Sequence, residues 1–245
     1  MIRFPVSLVA AAAVVVLAAA PALAKKHRAP AAPAVSGPIN VAPAPPAVSE
    51  EAYKAEAIAR VSAALNAITT LKAEFTQVDQ KGISNGRFYL ERPGHLRFEY
   101  DPPAKTLVIA DGSRVTVRDL KMKTDYRAKI GETPLRLLLK PDVDLSKDAR
   151  ITDVAHDGDQ LAITAMETKG YGQGQITFIF KDPGGGAANP SEGRSAPGLE
   201  LQRWVVIDPT GAQTTVTLTS VEKGLQLADN LFELPPQHDV FDHGR

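Results

Sequence analysis

Residues 88–100 read FYLERPGHLRFEY, and this stretch decides the fold class. Leu96, Phe98 and Tyr100 recur at every second position, so they project to one side of an extended chain, with Arg97 and Glu99 on the other. Phe88-Tyr89-Leu90 begins a similar run. Between the two lies Glu91-Arg92-Pro93-Gly94, a break whose proline and glycine end one extended run and redirect the chain. Two period-two runs joined so tightly are antiparallel neighbours. The arginine inside the break is the residue that such a turn does not explain.

The same alternation extends in both directions. Strands are expected near 73–79, 85–91, 95–101, 105–110, 114–119, 125–128, 150–156, 160–166, 174–181, 199–207 and 213–222. Asp111-Gly112-Ser113, Asp157-Gly158-Asp159 and Asp208-Pro209-Thr210-Gly211 are hairpin connections, since glycine takes positive φ at little cost. Upstream, Ser49 is a helix cap with Glu50 and Glu51 in the first turn. Ile58, Val61, Leu65, Ile68 and Leu71 then recur at steps of three and four, which predicts an amphipathic helix of about 22 residues. Thr133-Pro134-Leu135-Arg136-Leu137-Leu138-Leu139 predicts a second, short and very apolar helix, with Thr133 as cap and Pro134 at its first position. Asp182 to Gly198 contains Gly184-Gly185-Gly186, Pro190 and Pro197 and is read as a flexible surface insertion between strands. The expected class is mainly β (α+β): one wide antiparallel sheet that twists and curls toward a barrel, with the helices over its mouth or concave face.

The chain opens with a basic residue, Arg3, an apolar run from Val6 to Ala20 and the small-x-small site Ala22-Leu23-Ala24, which reads as a secretory signal peptide over 1–24. Residues 25–49 carry six prolines among alanines, without apolar periodicity, and read as a disordered linker. The globular domain is then 50–236, followed by a short tail, 237–245. There is no cysteine, hence no disulfide and no lipidation site of the lipobox type. Lys+Arg and Asp+Glu balance at 28 each with no basic stripe, which argues against nucleic acid. The five histidines (His27, His95, His156, His238, His243) show no metal-ligand spacing beyond the loose pair in the tail, and no nucleophile elbow, zincin or P-loop motif occurs. Gly170, Gly172 and Gly174 lack a following helix and read as a hairpin. No enzyme, cofactor or metal is expected.

On residue patterns alone, the apolar strand faces either form an ordinary core or line a cavity for a lipid; so wide a sheet has more apolar concave area than one long and one short helix fill. A resemblance adds to this. Phe75-Thr76-Gln77, Gly86, Leu90-Glu91-Arg92-Pro93-Gly94-His95-Leu96-Arg97-Phe98-Glu99-Tyr100, Pro102 or Pro103, Val108-Ile109-Ala110-Asp111-Gly112, Thr133-Pro134-Leu135 and Asn230-Leu231-Phe232-Glu233-Leu234-Pro235-Pro236, in this order, resemble the outer-membrane lipoprotein carrier protein family (LolA).

The resemblance implies an unclosed antiparallel β-barrel, or half-barrel, of about 11 strands with a helical lid. It implies a soluble periplasmic carrier, expected as a monomer, that binds the acyl chains of lipidated proteins. Its partners would be an inner-membrane lipoprotein-releasing ABC exporter and an outer-membrane lipoprotein acceptor. The alternative is a LolA-like periplasmic module that binds or senses another lipid or glycolipid. The resemblance also assigns the arginine of the opening stretch: Arg92 matches a lid latch that hydrogen-bonds to helix backbone, as a five-donor guanidinium is suited to do. The expected cavity wall is Phe88, Leu90, Leu96, Phe98, Leu107, Ile109 and Val117. The expected lid side is Ile68, Leu71, Leu135, Leu138 and Leu139. With aromatics at 6% and a single tryptophan, Trp204, such a cavity would be mainly aliphatic. The Pro-rich leader and the 182–198 insertion fall outside the resemblance.

Overall fold

The structure, a computed structural model, describes residues 49–166, 174–183 and 198–236. The expected signal peptide, the linker up to residue 48, Gly170, Gly172, most of the 182–198 insertion and the tail from 237 lie outside these residues.

Helix α1 spans Glu50–Ala67, and the side chain of Ser49 accepts a hydrogen bond from the Ala52 amide at 3.2 Å. It is shorter than the periodicity predicts. Ile68 is already an extended C-cap, and strand β1 starts at Thr70. The reason lies in the β-branched pair Thr69-Thr70, which favours extended backbone over another helical turn. Leu71 therefore belongs to a strand and not to the helix.

Ten more strands follow: β2 (Gly82–Glu91), β3 (His95–Tyr100), β4 (Thr106–Asp111), β5 (Arg114–Asp119), β6 (Thr124–Lys129), β7 (Arg150–Asp157), β8 (Gln160–Met166), β9 (Gln175–Lys181), β10 (Glu200–Ile207) and β11 (Gln213–Lys223). All eleven expected strands are present, most within three residues of their predicted bounds. They form one antiparallel sheet in the order β6-β5-β4-β3-β2-β1-β11-β10-β9-β8-β7. The first and last members, β6 and β7, do not pair, so the sheet is unclosed. The connection between these two free edges carries α2 (Arg136–Leu139) and α3 (Leu145–Asp148). The expected cap differs in detail. Leu135 is the N-cap of α2, while the Thr133 hydroxyl donates to the Ile130 carbonyl of a preceding 3-10 turn.

Directly paired residues of antiparallel strands share a face, so register assigns the two sides of the sheet. Phe88 pairs with Phe98 and Leu90 with Leu96; Phe98 in turn pairs with Val108, and Val108 with Val117. This face joins Val61 and Leu65 of α1, Leu137, Leu138 and Leu139 of α2 and Leu145 of α3 in one apolar cluster. Burying such a face and helical stripe together is the main stabilising term, at roughly 25 cal/mol per Å² of apolar surface. Gly86 sits within it, and a Cβ there would lie 2.0 Å from the Glu99 carbonyl oxygen and 2.8 Å from the Phe75 ring.

Asp182 corrects the expected insertion boundary. It is fully buried, and its carboxylate takes a bidentate pair from Arg60 of α1 at 2.7 and 2.9 Å. Its amide donates to the Asp159 carbonyl at 2.6 Å. The residue thus extends the β8–β9 end of the sheet and fastens α1 to it. The hydrogen bond to Asp182 raises the Arg60 pKa above its ordinary value, against the opposing effect of burial.

Two outcomes follow from this packing. Asp182→Ala leaves the Arg60 charge half-buried without its partner and should lower stability by about 3–5 kcal/mol, read as a fall in the urea midpoint; a loss below about 1 kcal/mol, the scale of a surface pair, contradicts the assignment. Gly86→Ala forces backbone against side chain and should cost roughly 3 kcal/mol or more, a drop of about 6–12 °C in thermal midpoint; an unchanged midpoint contradicts the register.

Candidate functional site

The site is built from the helix-covered face of β1–β5 and the helices lying on it. Phe88, Leu90 and Leu96 are fully buried and Phe98 is 5% exposed. Val117 is half-buried and packs on the same cluster. These five residues share one face of the sheet. Leu71 lies with them, because it pairs with Leu90 across β1 and β2; it is part of the wall and not of the lid. Ile68, Leu138 and Leu139 are buried on the lid side, and Leu135 packs against the cluster from its edge.

Leu107 and Ile109 do not belong to this wall. They pair with Glu99 and Arg97, which puts them on the opposite face. Val108 and Ala110 take their places in the apolar cluster. The cause is the sequence Leu107-Val108-Ile109-Ala110, apolar at every position, so alternation gives no parity. This strand is buried on both faces. On the far side, a 3-10 turn at Asp229–Phe232 packs over β3 and β4. Arg97 donates to the Leu231 carbonyl at 2.9 Å, and the buried Arg118 donates to the Pro235 carbonyl while pairing with Asp125 at 2.7 Å. A cavity of about 630 Å³, lined by Ile109, Arg114, Arg127, Phe232 and Glu233 among others, lies between this segment and the sheet.

The wall also holds residues that the expected set omitted. Trp204 is 1% exposed, with its ring 5.6 Å from Phe88 and 6.3 Å from Phe98. Phe75 stands edge-on to Phe98 at 5.1 Å. Val61, Leu65 and Leu137 complete the lid underside. Their period-two and period-three/four spacing was the available signal; it marks burial but does not separate a wall from an ordinary core.

Arg92 joins the wall to the lid. The turn between β2 and β3 carries it beneath the C-terminal ends of two helices. Its Nε donates to the Lys140 carbonyl at 3.0 Å, and one terminal nitrogen donates to the same oxygen and to Asn66 Oδ1, the latter at 3.2 Å. The other terminal nitrogen donates to the Leu65 carbonyl. Leu65 lies in the last turn of α1 and Lys140 is the C-cap of α2. Helix C-termini expose unpaired carbonyls and partial negative charge, so a cation there satisfies both. Burial draws the Arg92 pKa below its ordinary value, with Asp142 opposing; a guanidinium stays charged regardless.

The surrounding turn is fixed independently. The Arg92 amide donates to the Thr69 carbonyl at 2.8 Å, and the Gly94 amide to the Leu139 carbonyl at 2.9 Å. Gly94 has φ +85°, and a Cβ there would come 2.8 Å from the Gly112 Cα, so glycine is required. Asn66 continues the network: its Nδ2 donates to the Val143 carbonyl at 2.9 Å and its Oδ1 accepts from the Val143 amide at 2.9 Å. The Ser62 hydroxyl accepts from the Leu145 amide at 3.1 Å. The helices therefore form one hydrogen-bonded cap, and Arg92 ties that cap to the sheet. Among the described residues no group of three or more His, Asp or Glu is placed to hold a metal.

The family profile described as "Outer membrane lipoprotein carrier protein LolA" matches residues 66–185, which includes Arg92, the β2–β5 wall and α2. An outer-membrane lipoprotein carrier protein of Methylococcus capsulatus is 27% identical over 195 residues, covering 75% of this chain and 86% of that protein. One from Legionella pneumophila (strain Paris) is 24% identical over 203 residues, covering 78% and 92%. Among solved structures, a LolA superfamily protein from Nitrosomonas europaea superposes with a TM-score of 0.38 at 8% identity, covering 70% of this chain and 95% of that one. The profile, over 120 of the chain's 245 residues, and these relatives together support the LolA family for this chain.

Proposed function

We propose that this protein is a periplasmic carrier that shields the acyl chains of lipidated proteins between the inner and outer membranes. The observation that carries the reading is the Arg92 guanidinium, seated on carbonyls from two lid helices above a wall of fully buried apolar side chains. An ordinary core needs no such fastening. A compartment that admits a guest needs a cover that is held and can be released.

The energetics suit reversible release. Charge-assisted hydrogen bonds contribute roughly 1.5–3 kcal/mol each. A buried methylene contributes roughly 0.8 kcal/mol, so about six of them, ~5 kcal/mol, compete with two or three latch bonds. Opening also uncovers Leu137, Leu138 and Leu139, which are at most 3% exposed when the lid is shut. An acyl chain inserted between lid and wall covers both again, so the guest supplies much of what opening removes. Incomplete coverage of the chains leaves the cargo transferable.

The remaining features accord with this role. Residues 1–24 read as an export signal, and no helix among the described residues is long and apolar enough to cross a membrane. The carrier does no chemistry of its own in this reading. An ATP-driven exporter loads it at the inner membrane, and an acceptor at the outer membrane unloads it.

A photo-crosslinking residue at position 98, facing the wall, should capture lipoproteins in cells, and Arg92→Leu should loosen the lid and leave outer-membrane lipoproteins in the inner-membrane fraction. Lipoprotein sorting that survives depletion of the protein contradicts carriage. Full complementation by Arg92→Leu contradicts the latch.

A further inference from the structure

We infer that acyl chains enter beneath α2 rather than beneath α1, because Arg60 and Asp182 hold α1 in place as a fixed wall; this rests on the carriage reading above. The two helices are fastened differently. α1 is continuous with β1 through only Ile68 and Thr69, and Ile68 is 3% exposed. Further along the helix, Arg60 makes its bidentate pair with the fully buried Asp182, which the Asp159 carbonyl holds through the backbone. Val61, 0% exposed, lies next to that pair and anchors the helix in the apolar cluster. α1 is thus held to the sheet at two points, near its midpoint by a buried charge pair and at its C-terminal end by the chain itself.

The pair is not readily broken by a lipid. Separating it strands a charge in a site where Tyr53 Oη and His156 Nε2 are already buried without hydrogen-bond partners, and His156 Nε2 stands 3.6 Å from Asp182 Oδ2. An acyl chain offers no replacement for either charge. The Arg92 contacts differ in kind. They end on two backbone carbonyls at the helix ends and on the neutral Asn66 side chain, all of which water satisfies as the lid lifts.

α2 has only four residues, flanked by Pro134 and Pro141, where the backbone has no amide to donate. Its connection to the β2–β3 turn runs through Arg92 to the Lys140 carbonyl and through Gly94 to the Leu139 carbonyl. α3 stays with α1 through the Ser62–Leu145 and Asn66–Val143 hydrogen bonds. Releasing Arg92 leaves the segment 133–141 held by the Gly94–Leu139 bond and by side-chain contacts of Lys140 and Arg136 with Asp148 of α3, which are not fully buried as Asp182 is, and its three leucines are the first surface an entering chain meets. Arg60 and Asp182 act as positioning residues that keep α1 from swinging.

The chain has no cysteine, so pairs of spin labels can be placed at will. One pair joins exposed Lys121, in the β5–β6 turn, to exposed Ala63 on α1; the other joins Lys121 to exposed Pro141 after α2. In Arg92→Leu, pulsed dipolar spectroscopy should show the 121–141 distance shift or broaden by about 5 Å, one turn of helix, with the 121–63 distance unchanged. Adding Arg60→Gln should then broaden the 121–63 distance as well. A dipalmitoylated Cys-Ser-Lys peptide added to the otherwise wild-type labelled protein should reproduce the 121–141 change alone. Equal movement of both pairs in Arg92→Leu, a static 121–141 distance, or an Arg60→Gln variant with α1 still fixed overturns the inference. If the lipopeptide fails to bind while the Arg92→Leu and Arg60→Gln distances move as stated, carriage and the entry route both fall, and only the division into a movable α2 and a fixed α1 stands.

Discussion

The structure depends on one half-buried guanidinium beneath two helix ends. Arg92 donates to the Lys140 carbonyl at the end of α2 and to the Leu65 carbonyl of α1, which also accepts from the Ile68 amide, and does so from a turn whose own backbone is fixed to Thr69 and Leu139. The apolar sheet beneath would hold the helices by burial alone. Burial is non-directional, however, and places no helix end in particular. The arginine converts a greasy contact into a defined closed position, and it does so with bonds that can be exchanged for water.

The fastening at Asp182 is the counterpart. There the charges are on side chains, the carboxylate is fully buried, and the partners have no substitute. A lid with two exchangeable fastenings would drift; one with two permanent fastenings would not open. On the proposed reading, placing the exchangeable one near the ends of α1 and α2 and the permanent one at the middle of α1 divides the cover into a moving and a stationary part. The topology supports this division, because the moving part sits in the long connection between the two unpaired edges, β6 and β7.

Much of this was legible in the residues. Alternation located the eleven strands, because hairpin turns delimit them and nearly every strand has one wet face. The stretch around Arg92 carried the turn; the expectation that Arg92 reaches helix backbone came from the family resemblance. Three features were not legible, each for a physical reason. Leu107-Val108-Ile109-Ala110 is apolar on both sides, so which pair faces the lid depends on register with β3, a tertiary fact. The end of α1 depended on whether Thr69-Thr70 would override a helical period that continued to Leu71. Asp182 borders a glycine-rich stretch and reads as a loop carboxylate; only the fold brings Arg60, 122 positions away in sequence, into contact with it.

The central claim is that the apolar interior exchanges its own cover for a lipid chain. Isothermal titration of the purified protein with a dipalmitoylated Cys-Ser-Lys peptide, beside the same peptide without its acyl groups, tests it most directly. The account predicts saturable one-to-one binding of the acylated peptide with a negative heat-capacity change, the mark of apolar burial, and no binding of the bare peptide. Equal binding of both peptides, or none of either, contradicts it.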